Sequence, residues 1–172
     1  MKHRIASAAL ILCVLSCSPH GGARGTALYT DSTQGFRLRY PQTWKVLGPG
    51  DTPLVMFSGG GTNRQITVST ETGGEAQIAE KLKQFDAFFP GHRVLEAGWT
   101  TVNGRRAYLQ TARWNSPLGD YKAYRLFVVA GDRFFLVSAL TPANEFDHYA
   151  RVLRACVLSF EVTGKQGGPR GE

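Results

Sequence analysis

The chain has 172 residues, a length that fits one domain with short appendages. Its apolar content of 42% excludes a largely disordered chain, and its 20 glycines indicate many turns. The formal charge of +7 is compatible with an anionic partner, but net charge bears on solubility and non-specific binding and identifies no activity.

The first 16 residues have the pattern of a signal peptide. Residues 2–4 are basic, and the apolar run 5–15 follows them. This run is too short to cross a bilayer as a helix, which needs about 20 residues. We therefore expect residues 1–16 to be removed, which takes Lys2 and Arg4 away and leaves a mature charge nearer +5.

The end of this segment, Val-Leu-Ser-Cys at 14–17, resembles the lipobox of bacterial lipoproteins. In that class the signal peptide is cut before the cysteine, whose thiol is diacylated. Leu15 is bulkier than the small residue usual at its position, and the alternative is an ordinary secretory signal cut after Gly22 or Ala23. We expect lipidation at Cys17 and a membrane anchor through it. Ser18 resembles the pattern of lipoproteins sent to the outer membrane, which predicts an envelope protein facing the periplasm.

The three cysteines agree with this prediction. Cys13 would leave with the signal peptide and Cys17 would be acylated, so Cys156 has no partner for an intramolecular disulfide in the mature chain. Cys156 falls on the apolar stripe of a predicted helix. A buried, inert thiol is the expected state, because no basic group is placed to activate it.

The segment 17–30 is small, polar and glycine-containing, which predicts a flexible tether. The domain is predicted over 31–162, and the polar segment 163–172 is predicted to be a disordered tail. The first half of the domain shows apolar alternation and turn signals that predict strands at 36–40, 44–47, 54–57 and 65–70.

A helix is predicted over 74–89, where apolar residues recur at spacings of three and four and Pro90-Gly91 follows. A hairpin is then predicted over 93–102 and 105–114, because Asn103-Gly104 is a type I′ turn sequence. After the loop 115–119, a second hairpin is predicted across Gly131-Asp132. Its strands are nearly continuously apolar, so we expect it at the centre of a sheet covered on both faces.

The C-terminal part of the domain is predicted to hold a second helix and a closing strand. Thr141 is the predicted N-cap of this helix and Pro142 its first residue. The predicted buried stripe comprises Phe146, Tyr149, Ala150, Leu153 and Cys156. The closing strand is predicted over 158–162.

The stretch Gly-Phe-Arg-Leu-Arg-Tyr-Pro-Gln-Thr-Trp at 35–44 resembles the opening of the PsbP-like proteins. The Asn103-Gly104 turn, the aromatic hairpin, the second helix and Ser159-Phe160 follow in the order of that family, so the resemblance covers about 35–162. It implies an α+β fold of the Mog1/PsbP-like type, an antiparallel sheet flanked by helices in an α/β/α sandwich. Members of the family are mostly non-catalytic binding or assembly factors, and no catalytic residues carry over.

The sequence contains no nucleophile elbow, zinc-protease helix or redox cysteine pair. His92 and His148 are the histidines of the predicted domain, and a metal site would need them to converge with a carboxylate such as Asp120 or Asp147. Nothing in their spacing requires this, so no metal, cofactor or catalytic residue is predicted.

Seven basic residues could share one surface, although a solvated sheet edge is the default interpretation: Arg37, Arg39, Arg105, Arg106, Arg113, Lys122 and Arg125. A shared patch would suit anionic headgroups better than nucleic acid outside the cytoplasm. The function we expect is a membrane-tethered, non-catalytic binding or assembly domain with an envelope protein as partner. The alternatives are a periplasmic hydrolase without a recognisable motif and a small-ligand carrier whose cavity is lined by Trp44, Trp99 and Trp114.

Overall fold

The computed structural model describes residues 25–48, 53–60 and 63–163, and the predicted signal peptide, Cys17 and residues 164–172 of the predicted tail lie outside these ranges. The described chain contains strands and two helices in the following order: β1 (Thr26–Asp31), β2 (Phe36–Pro41), β3 (Lys45–Leu47), β4 (Val55–Ser58), β5 (Gln65–Thr72), α1 (Glu75–Phe88), β6 (Arg93–Val102), β7 (Arg105–Ser116), β8 (Gly119–Ala130), β9 (Arg133–Pro142), α2 (Phe146–Leu158) and β10 (Glu161–Val162).

The strands form two antiparallel sheets. The larger has seven strands in the order β3-β4-β5-β9-β8-β7-β6, and the smaller has the order β1-β2-β10. The predicted central hairpin is confirmed, since β8 and β9 pair with each other and lie inside the larger sheet. Gly131 takes a φ of 71° at their turn. Asn103 and Gly104 take φ values of 49° and 77°, as the predicted type I′ turn requires.

Both faces of the central hairpin are covered because its apolar residues alternate between two cores. Phe127 packs against Phe85 of α1, with ring centroids 6.3 Å apart. Three residues earlier, and so on the opposite face, Tyr124 packs against Phe146 of α2 at 5.0 Å. The smaller sheet lies on the α2 side, where Phe36 of β2 contacts Phe135.

The fold is therefore mostly antiparallel sheet with two helices. The predicted α/β/α sandwich fits it only loosely, because strands dominate the fold and the smaller sheet lies on the same side as α2. In the described chain, neither α1 nor α2 combines the length and the apolar character needed to cross a bilayer.

Several predicted boundaries are wrong. Thr141 and Pro142 do not begin a helix: they continue β9, pair with Lys122 and Tyr121 of β8, and α2 starts only at Phe146. The local capping signal is overridden because the extended pairing with β8 buries Thr141 completely. The predicted tether is also too long at its C-terminal end, since β1 begins at Thr26 and pairs along its length with β2.

The predicted buried stripe of α2 is confirmed for three of its five residues. Phe146, Leu153 and Cys156 are buried, and Tyr149 packs at the edge of the same core. Burial raises the pKa of the Cys156 thiol to about 11, which favours the neutral, unreactive form at neutral pH. The closing strand is shorter than predicted, because α2 extends to Leu158 and β10 covers only Glu161–Val162.

Candidate interaction surface

The most unusual feature of the described chain is β6, an outer strand of the larger sheet. It pairs with β7 on one side, and on its other side the described residues provide no strand. Nine of its ten residues are exposed, among them Leu95 at 52% and Trp99 at 41%. A strand normally buries alternate residues. Here both faces of the strand and one row of backbone hydrogen-bonding groups are accessible.

The opposite edge of the same sheet is protected because its strand is very short. That edge is β3, which has three residues, whereas β6 has ten. Long edge strands are a liability that proteins usually blunt by shortening, charge or bulges. The protection of β6 amounts to one irregularity between Val94 and Glu96 and the charges of Arg93 and Glu96.

Trp99 is held in place on one face of β6. Its ring lies 5.3 Å from that of Tyr108 at an interplanar angle of 70°, and the guanidinium carbon of Arg106 lies 4.4 Å from its centroid. Arg106 in turn forms a two-point ion pair with Glu75 at the first turn of α1. The indole is thus oriented by contacts on its inner side while its outer side remains open to solvent.

A cleft of about 190 Å³ runs beside β6 where the larger sheet extends past α2. It is lined by Glu96, Ala97, Gly98, Trp99, Thr100, Leu109, Thr111 and Arg154. The lining combines apolar carbon, hydroxyl groups, a carboxylate and a guanidinium. Such a mixture suits a peptide better than a purely apolar ligand.

Gly98 lies in the middle of β6, and a Cβ atom built on it meets no other atom within 4 Å. Its φ is not in the left-handed region, so the backbone does not require glycine there. Glycine weakens a strand interior and often marks a place where another backbone approaches closely. No described segment of this chain makes that approach.

A second cluster lies under the C-terminal end of α1 and is built around Arg125 of β8. This side chain is only 3% exposed. Its Nη1 lies 2.9 Å from Nε2 of His92, whose Nδ1 lies 2.6 Å from a carboxylate oxygen of Asp86. Because guanidinium can only donate, Nε2 of His92 accepts and the neutral ring carries its proton on Nδ1.

The Arg125 guanidinium is also enclosed by aromatic rings. Its central carbon lies 4.0 Å from the ring centroid of Phe85, 4.8 Å from that of Trp114 and 5.3 Å from that of Phe89. Burial lowers the pKa of Arg125 to about 10, and Asp86 opposes that shift, so the group stays charged at neutral pH. The side chains of Arg125 and His92 are buried, so we interpret the cluster as a clamp that attaches α1 and the following loop to the sheet.

The predicted basic residues do not form one patch. The alternation along β7 and β8 divides them between the two faces of the larger sheet, and Arg125 is buried rather than exposed. Several are neutralised locally: Arg37 pairs with Glu161, Arg106 with Glu75, Arg113 with Asp120, and Lys122 with Asp147. Sequence reasoning missed the burial of Arg125, although its place in the apolar run of β8 was a signal.

The two histidines are placed apart. His92 lies on the α1 side of the sheet, held between Asp86 and Arg125, whereas His148 lies on α2 across the sheet. Within residues 25–48, 53–60 and 63–163, no three His, Cys, Asp or Glu side chains converge as a metal site would require.

The three tryptophans do not line one cavity. Trp44 and Trp114 are buried in different cores, and Trp99 alone among them lines the cleft beside β6. The geometry gives no support to a carrier cavity formed by all three.

The fold and its long uncovered edge define a mostly antiparallel α+β domain with two helices. The PsbP family model matches residues 24–162, and the chain belongs to the PsbP family. No curated protein matches the sequence significantly.

Solved structures show the same fold at low sequence identity. The solution structure of the cyanobacterial PsbP (CyanoP) from Synechocystis is 14% identical, with a TM-score of 0.61 over 87% of this chain and 98% of that one. The crystal structure of LpqN, a protein involved in cell envelope biogenesis of Mycobacterium tuberculosis, is 13% identical. Its TM-score is 0.56, over 84% of this chain and 88% of that one.

Proposed function

We propose that this chain is a membrane-anchored bacterial lipoprotein whose PsbP-like domain is a non-catalytic binding or assembly module. We further propose that β6 is its binding strand and that an extended segment of an envelope protein adds to it. The family membership and the envelope role stated for LpqN support the general class. The exposure of β6 is the observation that carries the specific proposal.

We infer strand addition because the outer edge of β6 has no neighbouring strand among the described residues. Backbone N–H and C=O groups along an edge strand are satisfied by water until another strand pairs with them, and main-chain hydrogen bonds then provide affinity. Side chains of the added strand would meet Trp99 on one face and the cleft beside Arg154 on the other. These two contacts would give the pairing its specificity.

Gly98 provides a substitution that tests this surface without disturbing the core. The Cβ of an arginine at position 98 would meet no atom within 4 Å, and its side chain would project into the cleft, where a side chain of the added strand is proposed to bind. Gly48, directly after β3, is equally unobstructed and lies near the opposite edge. Gly48→Arg is therefore a matched control for Gly98→Arg.

The test is photocrosslinking in cells, with the photoreactive residue placed at Thr100 of β6 or at Val46 of β3. We expect a discrete crosslinked species from position 100, its loss in the Gly98→Arg background and its persistence in the Gly48→Arg background. Equal crosslinking from both edges, or no effect of Gly98→Arg, would exclude β6 as the binding strand.

The anchor depends on Cys17. Two acyl chains are what stable anchoring generally needs, at about 0.8 kcal/mol for each buried CH₂. We expect cells to incorporate a palmitate analogue into the wild-type protein but not into Cys17→Ala. A mature N-terminus downstream of Cys17 would show a secreted protein instead. The Ser18 pattern leads us to propose the outer membrane, facing the periplasm, which fractionation of labelled cells tests.

The non-catalytic part of the proposal competes with a periplasmic hydrolase. A panel of esterase, phosphatase and peptidase substrates distinguishes the two. Turnover that a single substitution in the cleft abolishes, for example Thr111→Ala, would establish an enzyme and overturn the proposal.

A further inference from the structure

Two large apolar side chains protrude further into solvent than the other exposed hydrophobic residues of the described chain. Phe88, the last residue of α1, is 76% exposed, and Leu118, in the turn between β7 and β8, is 75% exposed. Neither contributes to a core cluster. Large exposed apolar groups at one place on a surface often mark a contact with a partner or a membrane.

The two side chains lie at the same end of the domain. The backbone N–H of Asn115, just before the β7–β8 turn, donates to the carbonyl of Pro90, just after α1, at 2.8 Å. Gly91 is so close that a Cβ on it would lie 3.1 Å from the Asn115 side chain. The turn itself is ordered by the Ser116 hydroxyl, which accepts from the Leu118 N–H at 3.1 Å.

The described chain also begins at this end. Gly25 accepts through its carbonyl from the N–H of Gln42, just after β2. β2 runs from Phe36, which packs on Phe135 near the β8–β9 turn, to Tyr40, which stacks on Phe57. Its exit therefore points away from the β8–β9 turn and towards the end of the sheet that carries the β7–β8 turn.

The covalent distance to the proposed anchor is short. Gly25 follows Cys17 by eight residues, and even a fully extended chain of that length spans at most about 28 Å. A lipidated Cys17 therefore keeps this end of the domain within about 28 Å of the bilayer. The opposite end, with the β8–β9 turn at Gly131, lies a full strand length further away.

We propose that the domain rests on the lipid bilayer through this end, with Phe88 and Leu118 inserted at the headgroup boundary. The inference rests on the proposed lipid anchor and adds an orientation to it. Nearby charges are largely paired, Arg113 with Asp120 and Arg64 with Glu145. The contact is therefore mainly apolar, with burial of hydrocarbon as its driving force. It leaves β6, which lies along the side of the sheet, free for a protein partner.

The test uses the acylated protein purified from membranes and reconstituted into vesicles of phosphatidylethanolamine and phosphatidylglycerol. A polarity-sensitive fluorophore is attached at Phe88→Cys or Leu118→Cys, and at Asp132→Cys in the opposite end as control. The buried Cys156 does not compete for the label in the folded state. We expect a blue shift and quenching by lipid-phase spin labels at positions 88 and 118, and neither effect at 132.

The possible outcomes separate the two proposals. If the mass of the purified protein shows no acyl chains, the anchor fails and the orientation fails with it. If the protein is acylated but probes at 88 and 118 report bulk water, the orientation alone is wrong. A blue shift that precedes addition of vesicles and weakens when the protein is diluted would assign this end to contact between copies of the chain and would likewise overturn the inference.

Discussion

Nη1 of Arg125 lies 2.9 Å from Nε2 of His92, and Nδ1 of the same ring lies 2.6 Å from a carboxylate oxygen of Asp86, which is at the surface. This chain of contacts links the centre of the larger sheet to α1 and the loop that follows it. α1 has a single fully buried residue, Ile78, with Leu82 and Phe85 half-buried beside it, so the clamp adds to a small apolar contact.

The clamp predicts an order of stability for two variants. His92→Ala leaves the buried guanidinium without its acceptor, and an unsatisfied buried charged donor costs about 3 kcal/mol or more. Arg125→Met removes the charge, keeps most of the volume within the aromatic cage and leaves only a neutral ring nitrogen unpaired, at about 1–3 kcal/mol. Urea denaturation measures both. A larger loss for Arg125→Met than for His92→Ala would contradict the clamp.

Two phenylalanines provide a test of the core. Phe135 of β9 is fully buried between Phe36 and Phe160, with ring centroids 5.7 and 5.3 Å away. We expect Phe135→Ala to lower the free energy of unfolding by about 3–5 kcal/mol. Phe88→Ala, at an exposed position, should change it by less than about 0.5 kcal/mol. Similar denaturation midpoints for the two variants would place Phe135 outside the core.

Two glycines should respond oppositely to alanine. At Gly98 a Cβ meets nothing within 4 Å, so alanine should stabilise the domain by about 0.5 kcal/mol through reduced backbone entropy of the unfolded chain. At Gly59 a Cβ would lie 2.5 Å from the Trp44 ring, so the same change should destabilise it. Thermal unfolding of both variants reports the difference. A destabilised Gly98→Ala would mean that glycine serves the fold rather than a partner.

Cys156 predicts both a reactivity and a pH dependence. The native thiol is fully buried and should not react with a disulfide reagent at pH 8, whereas the unfolded chain should react completely. Burial raises its folded pKa from 9.0 to about 11, so the folded state keeps a proton that the unfolded state loses in this range. Stability from this group is therefore present below pH 9 and decreases as the pH rises towards 11.

The size of this effect is measurable by comparison with Cys156→Ala. Between pH 9 and 10 the wild type should lose about 1 kcal/mol more than the variant, as the shift in pKa implies. Tyr29 and Tyr124, whose pKa values are also raised by burial, act in the same direction in both proteins and cancel in the difference. Parallel stability curves for the two proteins would contradict a buried thiol.

Local features of the fold could be predicted from the sequence because their causes are local. The turn at Asn103-Gly104 needs two residues that tolerate positive φ, and no long-range contact is needed to see that this pair does. The extent of α1 and most strands follows from the period of the apolar residues. The resemblance of residues 35–44 to the family could also be seen without the structure, because it depends only on the order of the residues.

Where local preferences and distant contacts favour different conformations, only the tertiary structure shows which of them prevails. Thr141 and Pro142 have the local chemistry of a helix start, but ten residue pairs between β8 and β9 favour continued extension. Arg125 has the charge of a surface residue, yet α1 folds over it and supplies the rings and the histidine that make its burial tolerable. Neither outcome can be read from neighbours in the chain.

The candidate interaction surface depends on tertiary structure most of all. β6 has a sequence that would suit a half-buried strand, and its exposure results from where α1 and α2 end over the sheet. The sequence predicted that 93–102 is extended, because the Asn103-Gly104 turn that follows acts over a few residues. Whether that strand would be central or at an edge was decided by the order in which distant strands pair, and burial follows from that order.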